Sequence, residues 1–180
     1  MTRRLYLVRH GLVENPLGCA YGRLPGFGLS RVGRAQAAAA ARALRSRPIE
    51  RFHVSPLQRT RETADILNDG LALPTRIEER IIEWEGHGHG ETPEQVFARF
   101  RDFWEEWRSG TDREAVAVSH RDPIRALLIG LFRGGEWGEI DNLNVFPLDT
   151  GGIYVLSLDE RSGAAAVAPF PASQDGTPLS

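Results

Sequence analysis

The stretch Leu5-Tyr6-Leu7-Val8-Arg9-His10-Gly11 decides the fold prediction, because four apolar residues in a row stop abruptly at an arginine and a histidine. A short continuous apolar run is typical of a β-strand that is buried on both faces, as strands in parallel sheets are. Residues 12–29, which follow, are rich in Gly and Pro and are predicted to form a loop. The sequence therefore predicts a buried strand with Arg9 and His10 at its carboxyl end.

Strand-like and helix-like segments alternate along the rest of the chain. Short apolar segments predict strands at 52–54, 76–77 and 115–119, and helical patterns predict helices at 31–45, 57–67, 92–110 and 122–132. Ser30 and Ser55 are predicted N-caps, Thr92 opens a capping box, and Asp122-Pro123 is predicted to cap the last helix. Segments 153–158 and 164–168 flank a polar turn and predict a terminal hairpin.

This alternation predicts an α/β fold, a three-layer sandwich whose mostly parallel sheet has helices on both faces and an antiparallel C-terminal edge. We expect one domain over residues 1–170 and a disordered tail over 171–180, which is rich in Pro, Ser and Gly. Ligands of such folds bind beyond the carboxyl ends of the strands. His10, the segment 55–59 and His120 each follow a predicted strand, so we expect them to meet at one edge of the sheet.

The composition excludes several classes of function. The 180 residues are 41% hydrophobic and 26% charged, which is typical of a soluble globular domain. A net charge of −2 gives no reason to expect nucleic acid or an anionic membrane as a partner. No apolar run approaches the roughly 18 residues that span a bilayer, and the first residues do not resemble a signal peptide. We therefore expect a cytoplasmic protein with neither a nucleic-acid nor a membrane partner.

The predicted edge of the sheet collects groups that suit a phosphate. Arg9 and Arg59 carry planar guanidiniums that match phosphate oxygens. The helix N-terminus that follows Ser55 adds free N–H groups. Two imidazoles and one carboxyl can reach the same edge: His10, His120 and Glu83. The pattern indicates a phosphate pocket.

Taken in order, these motifs resemble the histidine phosphatase superfamily, whose members are also called phosphoglycerate mutase-like. The resemblance runs from about residue 4 to residue 158, which is most of the chain. It rests on five stretches: 7–11, 55–64, Glu83 within 82–86, 90–92 and 118–120. This ordered set is far more specific than an Arg-His-Gly triplet alone.

The resemblance implies a role for each matched residue and implies no metal or other cofactor. His10 is expected to be the nucleophile that becomes phosphohistidine, while Arg9, Arg59 and His120 hold the phosphate. Glu83 is expected to protonate the leaving oxygen and then to activate water. These roles agree with the physics of phosphoryl transfer, which depends on positioning and on stabilising negative charge. Two guanidiniums and a protonated His120 would supply that positive charge, whereas His10 must be neutral to attack.

Five further residues are candidates for contact with the substrate. Asn15 is expected to fill the position of a phosphate-contacting Asn, although it stands one residue earlier than the family pattern. Tyr21, Gly22 and Arg23 either line the mouth of the site or are plain loop. Arg121 stands where the family commonly has a small residue, and it either reaches a second anionic group on the substrate or points to solvent.

Three other features compete with these assignments. Glu85 is the alternative to Glu83 as the acid, because residues two apart share one face of a strand. His87 and His89 resemble a metal pair, but they lack a Cys, Asp or further His nearby at ligand spacing, so we predict no metal site. Cys19 is the only cysteine, and the Arg that a cysteine phosphatase needs six positions later is absent.

We predict a metal-independent phosphomonoesterase of the histidine acid phosphatase type that acts on a small phosphorylated metabolite. The segment between Glu83 and Gly90 is short, and mutases of the superfamily carry longer insertions there, so a phosphatase is favoured. The alternatives are a phosphoglycerate-type mutase, a phosphoprotein phosphatase and a non-catalytic phosphate-binding module. A homodimer paired through the edge of the C-terminal hairpin is a further hypothesis.

Overall fold

The computed structural model describes residues 1–85 and 90–171. The strands are β1 Thr2–Arg9, β2 Arg51–Val54, β3 Thr75–Ile77, β4 Glu114–Ser119, β5 Ile153–Asp159 and β6 Ala165–Pro169. The α-helices are α1 Arg31–Leu44, α2 Gln58–Asn68, α3 Pro93–Ser109 and α4 Arg121–Phe132. Single 3₁₀ turns lie at Glu79–Ile81 and Trp137–Glu139.

The six strands form one mixed sheet in the order β3-β2-β4-β1-β5-β6. The first four strands along the chain pair in parallel, with β1 next to β4 and β4 next to β2. β5 runs antiparallel to β1, and β6 runs antiparallel to β5. The predicted α/β architecture with an antiparallel C-terminal edge is therefore confirmed.

Both faces of the sheet are covered by helices, which gives the predicted three layers. Leu5 and Leu7 of β1 pack into the core that also contains the aromatic side chains of α3 and the apolar face of α4. Tyr6 and Val8 point to the other face and join the core formed with α1 and α2. All four side chains are fully buried, which explains why the run is apolar without alternation.

Two of the four predicted helix caps are confirmed and two are wrong. The Ser30 side chain caps α1, and Thr92 forms a capping box with Gln95 at the start of α3. Ser55 does not cap α2, which begins at Gln58, because its hydroxyl is hydrogen-bonded to the His120 ring instead. Asp122 does not cap α4 either, since the helix already begins at Arg121 and Asp122 lies in its first turn.

Some predictions lie outside the described residues or stay untested. The His87 and His89 pair and all of the predicted tail except Pro171 fall outside the described ranges. β6 is an outer strand of the sheet, where a second copy of the chain could pair. The homodimer stays a prediction. No helix within residues 1–85 and 90–171 has both the length and the apolarity to cross a membrane.

Candidate active site

Three adjacent parallel strands deliver the site residues to one edge of the sheet. β1 ends at Arg9, which is in register with Ser119 of β4, and β2 ends where Val54 is in register with Val118. His10 and His120 directly follow β1 and β4, and the main-chain N–H of His10 donates to the carbonyl of Ser119 at 3.1 Å. The two imidazole centroids are consequently only 5.2 Å apart.

His10 is held as a neutral imidazole with a defined tautomer. Its Nδ1 donates to the carbonyl of Gly11 at 2.7 Å, so Nε2 keeps its lone pair and accepts a hydrogen bond from Arg59 Nε at 3.2 Å. The residue is only 2% exposed. Burial, followed by the charges of Arg59 and Arg9, lowers the pKa of His10 to about 3. Gly11 is required next to it, because a Cβ there would collide with the carbonyl of Gly33.

Arg59 is the centre of the positive charge at this edge. Its side chain is 1% exposed, and Nη2 donates to the carbonyl of Gly22 at 2.7 Å. The same Nη2 lies 3.6 Å from Oε2 of Glu83. The guanidinium stacks over the ring of Tyr21, with its Cζ 4.9 Å from the ring centroid. These contacts fix the orientation of the guanidinium beside His10.

Arg9 supplies a second guanidinium, which is fixed by the chain near β5. Its Nη1 donates to the carbonyl of Leu148 at 2.7 Å. The main-chain carbonyls of Arg9 and His10 both accept from the N–H of Gly151 at 3.1 Å. Arg9 directly precedes His10 at the end of β1, and its positive charge contributes to lowering the pKa values of His10 and His120.

His120 is fully buried between Ser55 and Glu83. Its Nε2 is hydrogen-bonded to the hydroxyl of Ser55 at 2.7 Å, and its Nδ1 lies 3.4 Å from Oε2 of Glu83. Burial, together with the neighbouring His10 ring and the positive charge of Arg59, holds the pKa of His120 well below its usual value. The imidazole is therefore neutral in the free protein, and the protonated His120 that the sequence predicts around a transferring phosphoryl group stays a prediction.

Glu83, rather than Glu85, faces this cluster. Oε1 of Glu83 accepts from the main-chain N–H of Trp84 at 2.9 Å, and the side chain is 15% exposed. Burial, aided by the negative charge of Asp122, raises the pKa of Glu83 to about 7. The side chain of Glu85 is 50% exposed and lies 3.6 Å from Arg23. A carboxyl with a pKa near 7 can both give and take a proton at neutral pH.

The five predicted substrate-contacting residues have different surroundings. Asn15 closes its own loop, donating to the carbonyl of Cys19 and accepting from the N–H of Cys19. Tyr21 and Gly22 contact Arg59, as described above. Nε of Arg23 donates to the main-chain carbonyl of Glu83 at 2.6 Å. Arg121 pairs with the neighbouring carboxylate of Asp122 at 2.8 Å.

Two cavities flank the cluster of histidines and arginines. A cavity of 560 Å³ is bordered by Tyr21, Gly22, Arg23 and Glu85, together with neighbouring residues of the same loop. A smaller one of 100 Å³ is bordered by Arg9, Arg121 and the chain near Leu148. The larger cavity has room for the leaving group of a phosphoester, and the smaller one carries additional positive charge.

Three residues with contacts at this site were missed as site residues in the sequence. The sequence predicts Ser55 as a helix cap, although its hydroxyl contacts His120. Glu91 belongs to the matched stretch 90–92 without a predicted role, and the sequence predicts no site role for Arg99. Arg99 lies on α3, and its Nη2 reaches the Glu83 carbonyl at 3.4 Å. No local pattern marks these residues, because their partners are distant in sequence.

Ligand atoms of His10, Glu83 and His120 all lie within 4.8 Å of one another, a spacing that would suit a metal ion. The electrostatics favour an anion instead. Arg59 is 3.2 Å from the His10 nitrogen and 3.6 Å from the Glu83 carboxyl, so a cation would be repelled at close range. Two neutral imidazoles, the buried guanidinium of Arg59 and the partly buried guanidinium of Arg9 leave the site with excess positive charge.

Comparison with known proteins establishes the family. The model of the histidine phosphatase superfamily (branch 1) matches residues 5–88 and 84–168. These two overlapping matches cover nearly the whole chain and contain every residue of the cluster. The chain belongs to the histidine phosphatase superfamily.

Two curated relatives and one solved structure show the similarity to individual proteins. The chain is 32% identical over 183 residues to the glucosyl-3-phosphoglycerate phosphatase of Mycobacterium tuberculosis, a match that covers 95% of this chain and 80% of that protein. It is 59% identical over 80 residues to an uncharacterized protein of the same species, and that match spans only 44% of this chain and 40% of the relative. The native structure of mycobacterial glucosyl-3-phosphoglycerate phosphatase superposes with a TM-score of 0.78 at 26% identity, covering 96% and 100% of the two chains.

Proposed function

We propose that this protein is a metal-independent phosphomonoesterase, of the histidine acid phosphatase type, that acts through a phosphohistidine on His10. One observation carries the proposal: a buried, neutral His10 presents an unprotonated Nε2 directly beside the guanidinium of Arg59. A nucleophile needs that lone pair, and a transferring phosphoryl group needs that charge. A cytoplasmic location and a small phosphorylated metabolite as substrate are parts of the same proposal.

In the first step the phosphoryl group moves from substrate to enzyme. The guanidiniums of Arg9 and Arg59 bind the negative oxygens of the phosphate. Nε2 of His10 is thereby released from its hydrogen bond with Arg59. Nε2 attacks phosphorus as the bond from phosphorus to the leaving oxygen breaks. Protonated Glu83 gives its proton to that oxygen, and the alcohol departs.

In the second step water takes the phosphoryl group. Glu83, now a carboxylate, accepts a proton from a water molecule as the water oxygen attacks phosphorus. The bond between Nε2 and phosphorus breaks, and inorganic phosphate leaves with His10 neutral again. His120 is neutral in the free protein, and a bound phosphate dianion would raise its pKa and favour the charged form. His120 then adds to the positive charge that stabilises the equatorial oxygens.

The surroundings of the site bear on the substrate class. The 560 Å³ cavity beside Tyr21 and Gly22 can accept a leaving group of the size of a sugar. The relative that covers most of this chain is named for glucosyl-3-phosphoglycerate. Substrates to test therefore include that compound, sugar phosphates, phosphoglycerate derivatives, ribazole phosphate and a phosphohistidine peptide. Arg121 beside the smaller cavity would favour a substrate with a second negative charge.

The test measures phosphate release and traps the intermediate. The wild type and His10→Ala are incubated with a generic aryl phosphate and with the panel, then quenched without acid for intact-mass analysis. We expect an adduct of one phosphoryl group on the wild type and none on His10→Ala, together with loss of turnover. Full activity of His10→Ala would refute the assignment.

The same assay separates the alternatives. A mutase would isomerise its substrate when primed with a bisphosphorylated compound and release little phosphate, whereas a phosphatase releases it stoichiometrically. Tight phosphopeptide binding with turnover no higher than that of His10→Ala would identify a binding module. EDTA should leave the rate unchanged, and strong inhibition by EDTA would contradict a metal-independent mechanism.

A further inference from the structure

The carboxylate of Glu91 joins two arginines that lie on different parts of the fold. Oε2 of Glu91 accepts from Nη2 of Arg23 at 2.6 Å. Oε1 accepts from Nε of Arg99 at 2.6 Å, and Oε2 also accepts from Nη2 of Arg99 at 3.0 Å. Arg23 belongs to the loop at the mouth of the site, whereas Arg99 belongs to α3.

Both arginines converge on the main-chain carbonyl of Glu83. Nε of Arg23 donates to it at 2.6 Å, and Nη2 of Arg99 approaches it at 3.4 Å. Arg99 also donates to the carbonyl of Arg80 at 2.7 Å, so it holds the chain on both sides of the turn that leads to Glu83. Two arginines from different parts of the fold, Arg23 and Arg99, therefore hold the main chain at Glu83, the proposed acid.

Glu91 makes this convergence electrostatically feasible. Two guanidiniums that approach one carbonyl repel each other unless a negative charge lies between them. Among the described residues, Glu91 is the carboxylate that contacts both of them. The carbonyl of Glu91 additionally accepts from Nε1 of Trp84 at 2.7 Å, and the N–H of Trp84 donates to the Glu83 carboxyl. Side chain and main chain of Glu91 thus act on the same short segment.

We propose that Glu91 is a positioning residue for the acid–base group: it holds Arg23 and Arg99 on the carbonyl of Glu83 and so fixes the Glu83 carboxyl beside His120 and Arg59. The inference rests on the proposed function, because it presupposes that Glu83 protonates the leaving oxygen. It also assigns Arg23 the role of holding the main chain at Glu83. Gly22, the neighbour of Arg23, accepts from Arg59, so the bridge connects the mouth loop, the acid and the phosphate-binding guanidinium.

The dependence of the rate on the leaving group tests this role. An aryl phosphate with an acidic leaving phenol needs little proton donation, whereas an alkyl phosphate needs it fully. Glu91→Gln should lower kcat/KM for the alkyl ester, which reports only the steps up to departure of the alcohol, roughly 10- to 100-fold, because small displacements of a reacting group have effects of this size. The kcat/KM with the aryl ester and inhibition by vanadate should change less than about twofold, since the contacts of Arg59 with Tyr21 and His10 do not involve Glu91. Glu83→Gln should show the same pattern more strongly.

Glu105→Gln is the matched control, because Glu105 also pairs with an arginine of α3, Arg108 at 3.2 Å, but borders neither of the two cavities. It should behave as the wild type with both esters. If Glu91→Gln fails to fold, Glu91→Asp keeps the charge and should show the same selective loss to a smaller degree. Equal losses on both esters in the folded variant, or no loss on either, overturn the positioning role. Absence of wild-type turnover on both esters would refute the proposed function instead.

Discussion

Nε of Arg59 lies 3.2 Å from Nε2 of His10, so a buried guanidinium occupies the lone pair of the imidazole that we propose attacks phosphorus. The contact keeps His10 unprotonated, because a second positive charge at this distance would be strongly unfavourable. It also places the charge that a phosphate needs next to the nucleophile. A bound phosphate supplies the negative charge that pairs with Arg59, and the lone pair of His10 is then free.

Arg59→Lys should weaken catalysis although the formal charge is kept. A lysine lacks the rigid fork that contacts His10, Gly22 and a phosphate together. We expect kcat/KM to fall about 10²-fold, the size of effect seen when one donor to a transition-state oxygen is removed, and vanadate to inhibit more weakly. The control is Arg61→Lys, an exposed arginine on the same helix. The measurement is the kcat/KM of both variants and their inhibition by vanadate. Similar values for the two variants would contradict the role of Arg59.

The rate should decline as the pH rises through the pKa of Glu83, which lies near 7 in the free protein. Only the protonated carboxyl can give a proton to the leaving oxygen, so kcat/KM with an alkyl phosphate should fall at higher pH. His10, with a pKa of about 3, stays neutral and contributes no decline between pH 5 and 7. The midpoint in kcat should lie higher than in kcat/KM, because bound phosphate repels the carboxylate. A pH profile that keeps rising above about pH 9 would refute this assignment.

Glu83→Gln should stabilise the folded protein at alkaline pH while abolishing most of the activity. The pKa of Glu83 is raised from 4.5 in the unfolded chain to about 7 in the fold. Folding stability therefore decreases as the pH rises from about 4.5 to 7, by up to about 3 kcal/mol, and stays lowered above that range. A glutamine does not ionise, so the difference in Tm between variant and wild type should be larger at pH 8 than at pH 5. Equal differences at both pH values would contradict the raised pKa.

Ser55→Ala should reduce activity through His120. The substitution leaves Nε2 of a fully buried imidazole without the 2.7 Å hydrogen bond, at a cost of about 1–3 kcal/mol in stability. We expect roughly a tenfold loss of kcat/KM, because the ring is no longer held in one orientation. Ser119→Ala is the matched control, since its buried hydroxyl donates to the carbonyl of Ile81 rather than to His120. NMR spectra of the histidine rings should change for His120 in the first variant and not in the second.

Much of the fold follows from local sequence patterns. The run at Leu5–Val8 predicts β1, because only a strand covered on both faces buries consecutive apolar residues. The capping box at Thr92 predicts the start of α3 for an equally local reason. The residues of the phosphate pocket are identified by short ordered motifs at the ends of these elements. Their convergence follows from parallel strand topology, and the structure brings His10 and His120 to one edge.

Other properties depend on distances that no local pattern encodes. The hydroxyl of Ser55 can form a hydrogen bond either with the start of α2 or with a histidine 65 residues away. In the tertiary structure it is bonded to the histidine. Glu91 meets Arg23 across 68 residues. The neutrality of His120 and the raised pKa of Glu83 follow from burial, which is set by packing of the whole domain. The sequence by itself therefore determined the elements and the chemical groups, because these reflect short-range periodicity and capping. Only the tertiary structure decided their partners and charge states, because hydrogen bonding and desolvation depend on three-dimensional proximity.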